Sequence, residues 1–195
     1  MIVMVQAGDS RNGMLAAAVA LLRERGYAGT SFSELIAASG APRGSIYHHF
    51  PGGKEQLARE AVALARGVGD ALIDQAGGDP LKAIDLFAGV WRSGLVSNDF
   101  RSGCPVAGVV TGLPDGEQNL VDAAAECFAS WQNRFAAQLV SRGMTKAQAR
   151  RTATLALSAI EGAILLCRAS RSVRPLDDTV YELRQLITAT LHRRK

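Results

Sequence analysis

The sequence predicts an all-α chain, with an N-terminal domain of three short helices and a longer helical C-terminal domain. Apolar residues recur at three- and four-residue spacing over most of its 195 residues, the period of a helix that buries one face. Sustained period-two alternation between hairpin turns is missing from the sequence, and so is any internal repeat of fixed length. The 48% hydrophobic and 21% charged content is ordinary globular usage, which excludes a disordered or collagen-like chain.

The first helix is expected from residue 9 or 10 to 25, with Met14, Ala17, Ala18, Leu21 and Leu22 on its inner face and Gly26 as a left-handed C-terminal cap. Ser31-Phe32-Ser33-Glu34 has the capping-box spacing that opens a second, short helix. Leu35, Ile36 and Ala38 line that helix, and Gly40 ends it. Pro42 then starts a third through residues 43–50, because proline tolerates the first helical turn, where its missing N–H would have no partner. Ile46 and Phe50, four apart, point inward.

Pro51-Gly52-Gly53 breaks the chain, and Lys54 opens an amphipathic helix through Leu57, Ala61, Leu64, Val68 and Leu72 to Gly77-Gly78. Asp79-Pro80 is an N-cap with proline behind it, and Leu81, Ile84, Ala88, Trp91 and Leu95 continue at helical spacing. Residues 98–116 are punctuated by Gly and Pro, with room for one short helix. Leu120, Ala124, Cys127, Trp131 and Phe135 mark a long helix stopped by Gly143. Thr145 with Gln148 forms a second capping box, opening a helix to about 168, and a last helix from about 176 buries Val180, Leu183, Ile187 and Leu191. The helix from Lys54 is the expected joint between a domain at 1–55 and one at 56–195.

Three cysteines, Cys104, Cys127 and Cys167, form neither a disulfide framework nor a metal pair, and no histidine stands at zinc-ligand spacing from them. No metal or cofactor is expected, and a reducing, cytoplasmic setting suits this cysteine usage. The N-terminus lacks the pattern of a secretory signal. The longest mostly apolar stretch, 153–167, is 15 residues and contains Glu161, short of the ~20 that span a membrane. A soluble chain without a membrane partner is the expectation.

Two short helices joined by a tight Gly-containing turn and stacked on a longer one describe a helix-turn-helix. Its second helix presents Arg43, Gly44, Ser45, Tyr47 and His48 outward. Gly44 and Ser45 leave room for close approach to a groove. Arg43 can donate two hydrogen bonds to guanine, and the Tyr47 hydroxyl can reach a phosphate. Lys54 adds charge at a helix N-terminus that already favours phosphate. Residues 1–66 hold seven Lys and Arg against five Asp and Glu, and the whole chain carries only +4, so placement has to matter more than bulk charge.

Gly26-Tyr27, Thr30-Ser31-Phe32, Ile36-Ala37, Ser39-Gly40, the run Gly44-Ser45-Ile46-Tyr47-His48-His49-Phe50, and Lys54-Glu55-Gln56-Leu57 together resemble the N-terminal signature of TetR/AcrR-type transcriptional repressors. The Phe50-Pro51-Gly52-Gly53-Lys54 spacing and Gly103-Cys104-Pro105-Val106 are similar to the LmrA/YxaF-like branch. The resemblance implies a homodimer on a palindromic double-stranded DNA operator, released when a small hydrophobic or aromatic effector enters the C-terminal domain. It puts Arg43, Ser45, Tyr47 and His48 against DNA, and Thr30 or Ser31, with Lys54, against phosphates. Pro42 departs from the pattern, standing where the family often has a capping Ser or Thr.

Several residues keep two readings. Arg43 reads a base or clamps a phosphate; Tyr47 contacts a phosphate or packs the small domain. His48 and His49 are about 100° apart on a helix, which argues against a shared ion, and Arg59 belongs to a solvated face. Phe87, Trp91, Trp131 and Phe135 are core residues or walls of an effector pocket. Cys104 is a pocket-wall or structural cysteine, or a redox-sensing thiol. Glu161, a carboxylate among Leu157, Ile160, Ile164 and Leu165, pairs across a dimer seam or orients a polar ligand group. The last two long helices are apolar on more than one face, which fits a four-helix dimer bundle. An enzyme with Cys104 as nucleophile lacks a nearby histidine base. A DNA-binding protein without an effector would have a fully packed C-terminal domain, whereas a ~300–1,000 Å³ cavity would favour a ligand.

Overall fold

The computed structural model describes residues 10–40, 43–111 and 117–192. Among these the chain forms nine helices and no strand: α1 (Ser10–Arg25), α2 (Phe32–Ser39), α3 (Arg43–His49), α4 (Gly53–Gln75), α5 (Pro80–Ser97), α6 (Pro105–Val110), α7 (Gln118–Ser141), α8 (Lys146–Ser170) and α9 (Arg174–His192). The expected all-α class and the two-part helical plan hold. They form two compact units, Met1–Ala65 with Cys104–Cys127, and Arg66–Gly103 with Phe128–Lys195. Both α4 and α7 contribute residues to each unit, where the sequence suggested α4 alone. These packing units depart from the expected division at 1–55 and 56–195 over residues 56–65 and 104–127.

In the first unit the core is Met14, Ala18 and Leu22 of α1, Leu35 of α2, Ile46 of α3, Phe50, and Leu57 and Val62 of α4. Gly26 closes α1 at φ +71°, with its amide donating to Leu22 O at 3.1 Å. Here α6 docks on the end of α1. The Tyr27 amide donates to Gly108 O at 2.9 Å, and a Cβ on Gly108 would stand 2.3 Å from Leu22 O. Two glycines therefore let main chain meet main chain. Val106 and Val109 of α6, with Leu120 and Ala124 of α7, complete this core.

The second unit is built around α5 and the later helices. Asp79 caps α5 by accepting from the Leu81 and Lys82 amides, ahead of Pro80. Thr145 and Gln148 cap α8 reciprocally. Arg92 pairs with Asp177 at 3.0 Å and Arg184 with Asp85, two ties between α5 and α9. Along the α4–α7 seam, Ser130 donates to Asp70 at 2.9 Å, Arg134 reaches Asp74 at 2.8 Å, and the buried Gln138 amide donates to Ile73 O at 2.7 Å.

Candidate nucleic-acid interface and ligand cavity

The capping box fixes where α2 begins. Ser31 Oγ accepts from the Glu34 amide at 3.2 Å, and Glu34 Oε2 accepts from the Ser31 amide at 2.8 Å. Arg25 ties the end of α1 to the same carboxylate at 2.6 Å. The Ser31 amide and hydroxyl, with Arg25 adding less, hold the Glu34 carboxyl below the ordinary range. Gly40 ends α2 at φ +66°.

The rotation of α3 is set by Ile46 and Phe50, both fully buried. Their anchoring turns Tyr47 and His48 outward, with Tyr47 61% exposed. The Tyr47 ring also packs edge-on against Phe32, centroids 5.3 Å apart, so one side chain both braces α2 against α3 and leaves its hydroxyl end accessible. A Cβ on the exposed Gly44 would meet nothing within 4 Å, which keeps that face open. Arg43 and Ser45 belong to α3; their side chains, and Pro42, lie outside the described residues.

The expected phosphate contacts separate. Thr30 is 1% exposed and its hydroxyl donates to Gly26 O at 2.8 Å, so its side chain is turned inward and spent on capping α1. Ser31 stays exposed. Lys54 is half-buried, its Nζ 3.9 Å from the Tyr27 ring centroid. Burial lowers its pKa, with Glu117 and Glu34 acting in the opposite direction. The Tyr27 hydroxyl donates to Glu117 at 3.0 Å. Nothing in the sequence motif announced this Tyr27–Lys54–Glu117 cluster, because Glu117 is remote in the chain. His48 and His49 stack edge-on at 5.3 Å, Arg59 is exposed, and no metal-binding group of three side chains occurs among the described residues.

A cavity of about 40 Å³ lies within the second unit. Its walls are Ile73 of α4, Ala83, Ile84 and Phe87 of α5, Trp131, Gln132 and Phe135 of α7, and Ala153, Ala156, Leu157 and Ile160 of α8. Gln132 is the single polar side chain in that lining, and none is charged. Phe87, Trp131 and Phe135, three of the six residues suggested by the sequence, therefore meet at one void. Phe87 meets Trp131 edge-on at 5.3 Å. Trp91 is buried behind Phe87, centroids 6.0 Å apart, and is outside the lining. Cys104 is buried in the other unit as the N-cap of α6. Glu161 is half-buried on α8 and is also outside the wall. Helical spacing found the aromatic residues but not Ile73 or the alanines opposite them, whose small size leaves the space.

A helix-turn-helix whose anchored third helix presents an open polar face, joined to helices around an apolar void, is the plan of a DNA-binding regulator. Comparisons with known proteins agree. Residues 14–61 match the bacterial regulatory proteins of the tetR family, and residues 80–182 match the C-terminal domain of LmrA/YxaF-like transcriptional regulators. An HTH-type transcriptional regulator of Mycobacterium tuberculosis is 40% identical over 94% of this chain and 97% of its own. LmrA of Bacillus subtilis is 33% identical over 87% and 92%. Among solved structures, a TetR transcriptional regulator from Chloroflexus aurantiacus is 28% identical with a TM-score of 0.72, covering 92% of this chain and 94% of that one. The regulator CifR, solved with 26-bp operator DNA, shares the fold at 21% identity and a TM-score of 0.70, over 94% and 98%. The chain belongs to the TetR family of transcriptional regulators, with an LmrA/YxaF-like C-terminal domain.

Proposed function

We propose that the chain is a cytoplasmic repressor that binds a palindromic operator as a homodimer and is released by a small, neutral, hydrophobic or aromatic molecule. In this reading residues 1–55 carry DNA recognition and 56–195 carry effector binding and dimerisation. The carrying observation is the uncharged, aromatic-walled void in the second unit. An ionic ligand would lose its hydration there without a counter-charge, whereas an apolar one gains roughly 25 cal/mol per Å² buried. On the DNA side, Arg43, Ser45, Tyr47 and His48 would read or clamp the groove, with Ser31 as the exposed member of the phosphate pair. Lys54 would reach a phosphate from its place on Tyr27.

Dimerisation is supported by the outer faces of α8 and α9. Among the described residues α8 is the one helix long and apolar enough to cross a membrane, and a third of its apolar window is buried. Leu155, Leu165 and Leu166 remain 49–64% exposed, with Tyr181 of α9 at 60%. A second copy of the chain would cover such a row in the manner of an obligate interface. Glu161 would then lie near this seam.

The cavity volume favours a second reading. At about 40 Å³ it has room for a few waters, far below the ~300–1,000 Å³ of ligand sites, as in a DNA-binding protein with no effector. The two readings part in a footprinting experiment on the DNA flanking the chain's own gene, with and without a panel of neutral aromatic compounds. Protection lost on adding a compound supports the repressor; protection that none of them alters supports the effector-free protein.

A further inference from the structure

Trp131 has two neighbours that together give it more than a packing role. Its ring lines the cavity and meets Phe87 edge-on. Its pyrrole edge lies on the backbone of α4. A Cβ on Gly69 would stand 2.2 Å from Nε1 and 2.5 Å from Cε2, so only glycine admits the indole there. Nε1 donates to the main-chain carbonyl of Arg66 at 3.1 Å, which fixes the ring on the helix. Ile73, one turn further along α4, is itself a cavity wall.

We infer that Trp131 is the positioning residue through which filling of the cavity is read by α4. This rests on the effector reading for its biological use. A molecule too large for about 40 Å³ must displace a wall, because packed interiors do not compress. An indole already in van der Waals contact with a helix backbone has no slack on that side. Pressure on its cavity face therefore moves α4, which runs unbroken from Gly53, next to the helix-turn-helix in sequence, to Gln75. A methyl on Gly69 pushes α4 away from α7, as pressure carried by the ring would, so Gly69→Ala imitates an occupied cavity.

The test uses the full chain and a duplex selected by the wild-type protein from a random-sequence pool, with affinity read by fluorescence anisotropy and no ligand present. Gly67→Ala is the control, since Gly67 is exposed on the same helix and a Cβ there meets nothing within 4 Å. Gly69→Ala weakens DNA binding by about 5–150-fold, the usual span of coupling between sites, while Gly67→Ala stays within about twofold of wild type, the small change expected of an exposed site. The double variant Gly69→Ala/Trp131→Leu, which has no ring to strike the new methyl, regains DNA binding. Residues in contact are not additive, so a purely structural clash would also be relieved in the double variant, but it would show in the urea midpoint and leave the DNA affinity of each folded variant at the wild-type level. Should Gly69→Ala alone not fold, Gly69→Ala/Trp131→Phe takes its place: a ring still pressed by the methyl keeps DNA binding below that of the Leu double variant, and equal binding of the two overturns the coupling. Equal DNA affinity for Gly69→Ala and Gly67→Ala, or a folded double variant that binds as weakly as the single one or worse, overturns it. No ligand enters the comparison, so its failure is separate from a failure of the effector reading.

Discussion

Replacing Gly108 with alanine sets two effects against each other. Gly108 is inside α6, and alanine in a helix interior is better than glycine by ~0.8–1 kcal/mol. Against that, the new methyl would lie 2.3 Å from Leu22 O and close to the Gly26 backbone, nearly 1 Å inside contact distance. Both obstacles are main chain, so no rotamer change relieves the overlap. Relief requires α6 to back away from α1, which breaks the 2.9 Å bond from the Tyr27 amide to Gly108 O. Overpacking costs ~1–3 kcal/mol and a buried backbone group left unpaired another ~1–3 kcal/mol. The propensity gain offsets only part of this, leaving a net loss of about 1–5 kcal/mol. Urea unfolding followed by circular dichroism reads it directly. Gly89→Ala in α5, where a Cβ meets nothing within 4 Å, should be neutral or stabilising. Matching midpoints for the two variants would refute the close approach of α6 to α1.

Other changes probe the remaining elements. Arg43→Ala should weaken binding to the selected site by ~1–3 kcal/mol and relax one base preference; an equal loss on random DNA would recast Arg43 as a phosphate contact. Leu166→Lys, on the exposed row of α8, should convert a dimer to monomer at micromolar concentration in sedimentation, and a wild-type monomer would remove the dimer from the proposal. Tyr27 has its pKa raised by burial and then by the hydrogen bond it donates to Glu117. The folded chain thus keeps a proton that the unfolded chain releases above about pH 10. Its stabilising contribution is complete below that pH and is lost as pH rises toward the folded-state value. The Tyr27 step in tyrosinate absorbance, read as the difference between wild type and Tyr27→Phe, should coincide with the alkaline loss of helix; a difference step well before helix loss would place the hydroxyl in solvent.

What the sequence revealed was local chemistry. The capping boxes at Ser31–Glu34 and Thr145–Gln148, the Asp79–Pro80 start and the Gly26 and Gly40 stops all formed as read, because donor and acceptor are two to four residues apart. Ile46 and Phe50 were legible from a single turn's spacing. What stayed hidden needs the tertiary fold. Thr30 and Ser31 are adjacent and both carry hydroxyls, yet the carbonyl of Gly26 captures one and the start of α2 the other. Cys104 sits in a Gly- and Pro-punctuated segment with room for one short helix, and only the close approach of Gly108 to Gly26 shows that this helix, α6, belongs to the first unit. Phe87 and Trp91 share an apolar stripe, and only the alanines of α8 decide which of them faces a void.

The small volume of that void bears on which state the proposed repressor rests in. If the DNA-competent form is the one in which Trp131 rests on Gly69 and the walls nearly close, packing itself favours it before any effector arrives. An effector must then supply the free energy that opens the walls. Its apparent affinity falls tenfold for every ~1.4 kcal/mol spent there, and the same expenditure is what separates the two states. A roomy, preformed pocket would bind more tightly yet shift little, since a ligand with equal affinity for both states moves no equilibrium. Weak binding and strong release thus follow from one feature. Trp131→Leu should split them, because a shorter wall admits a neutral aromatic compound more tightly while its effect on DNA release declines. Tighter binding with undiminished release would show that the opening force reaches α4 by another route.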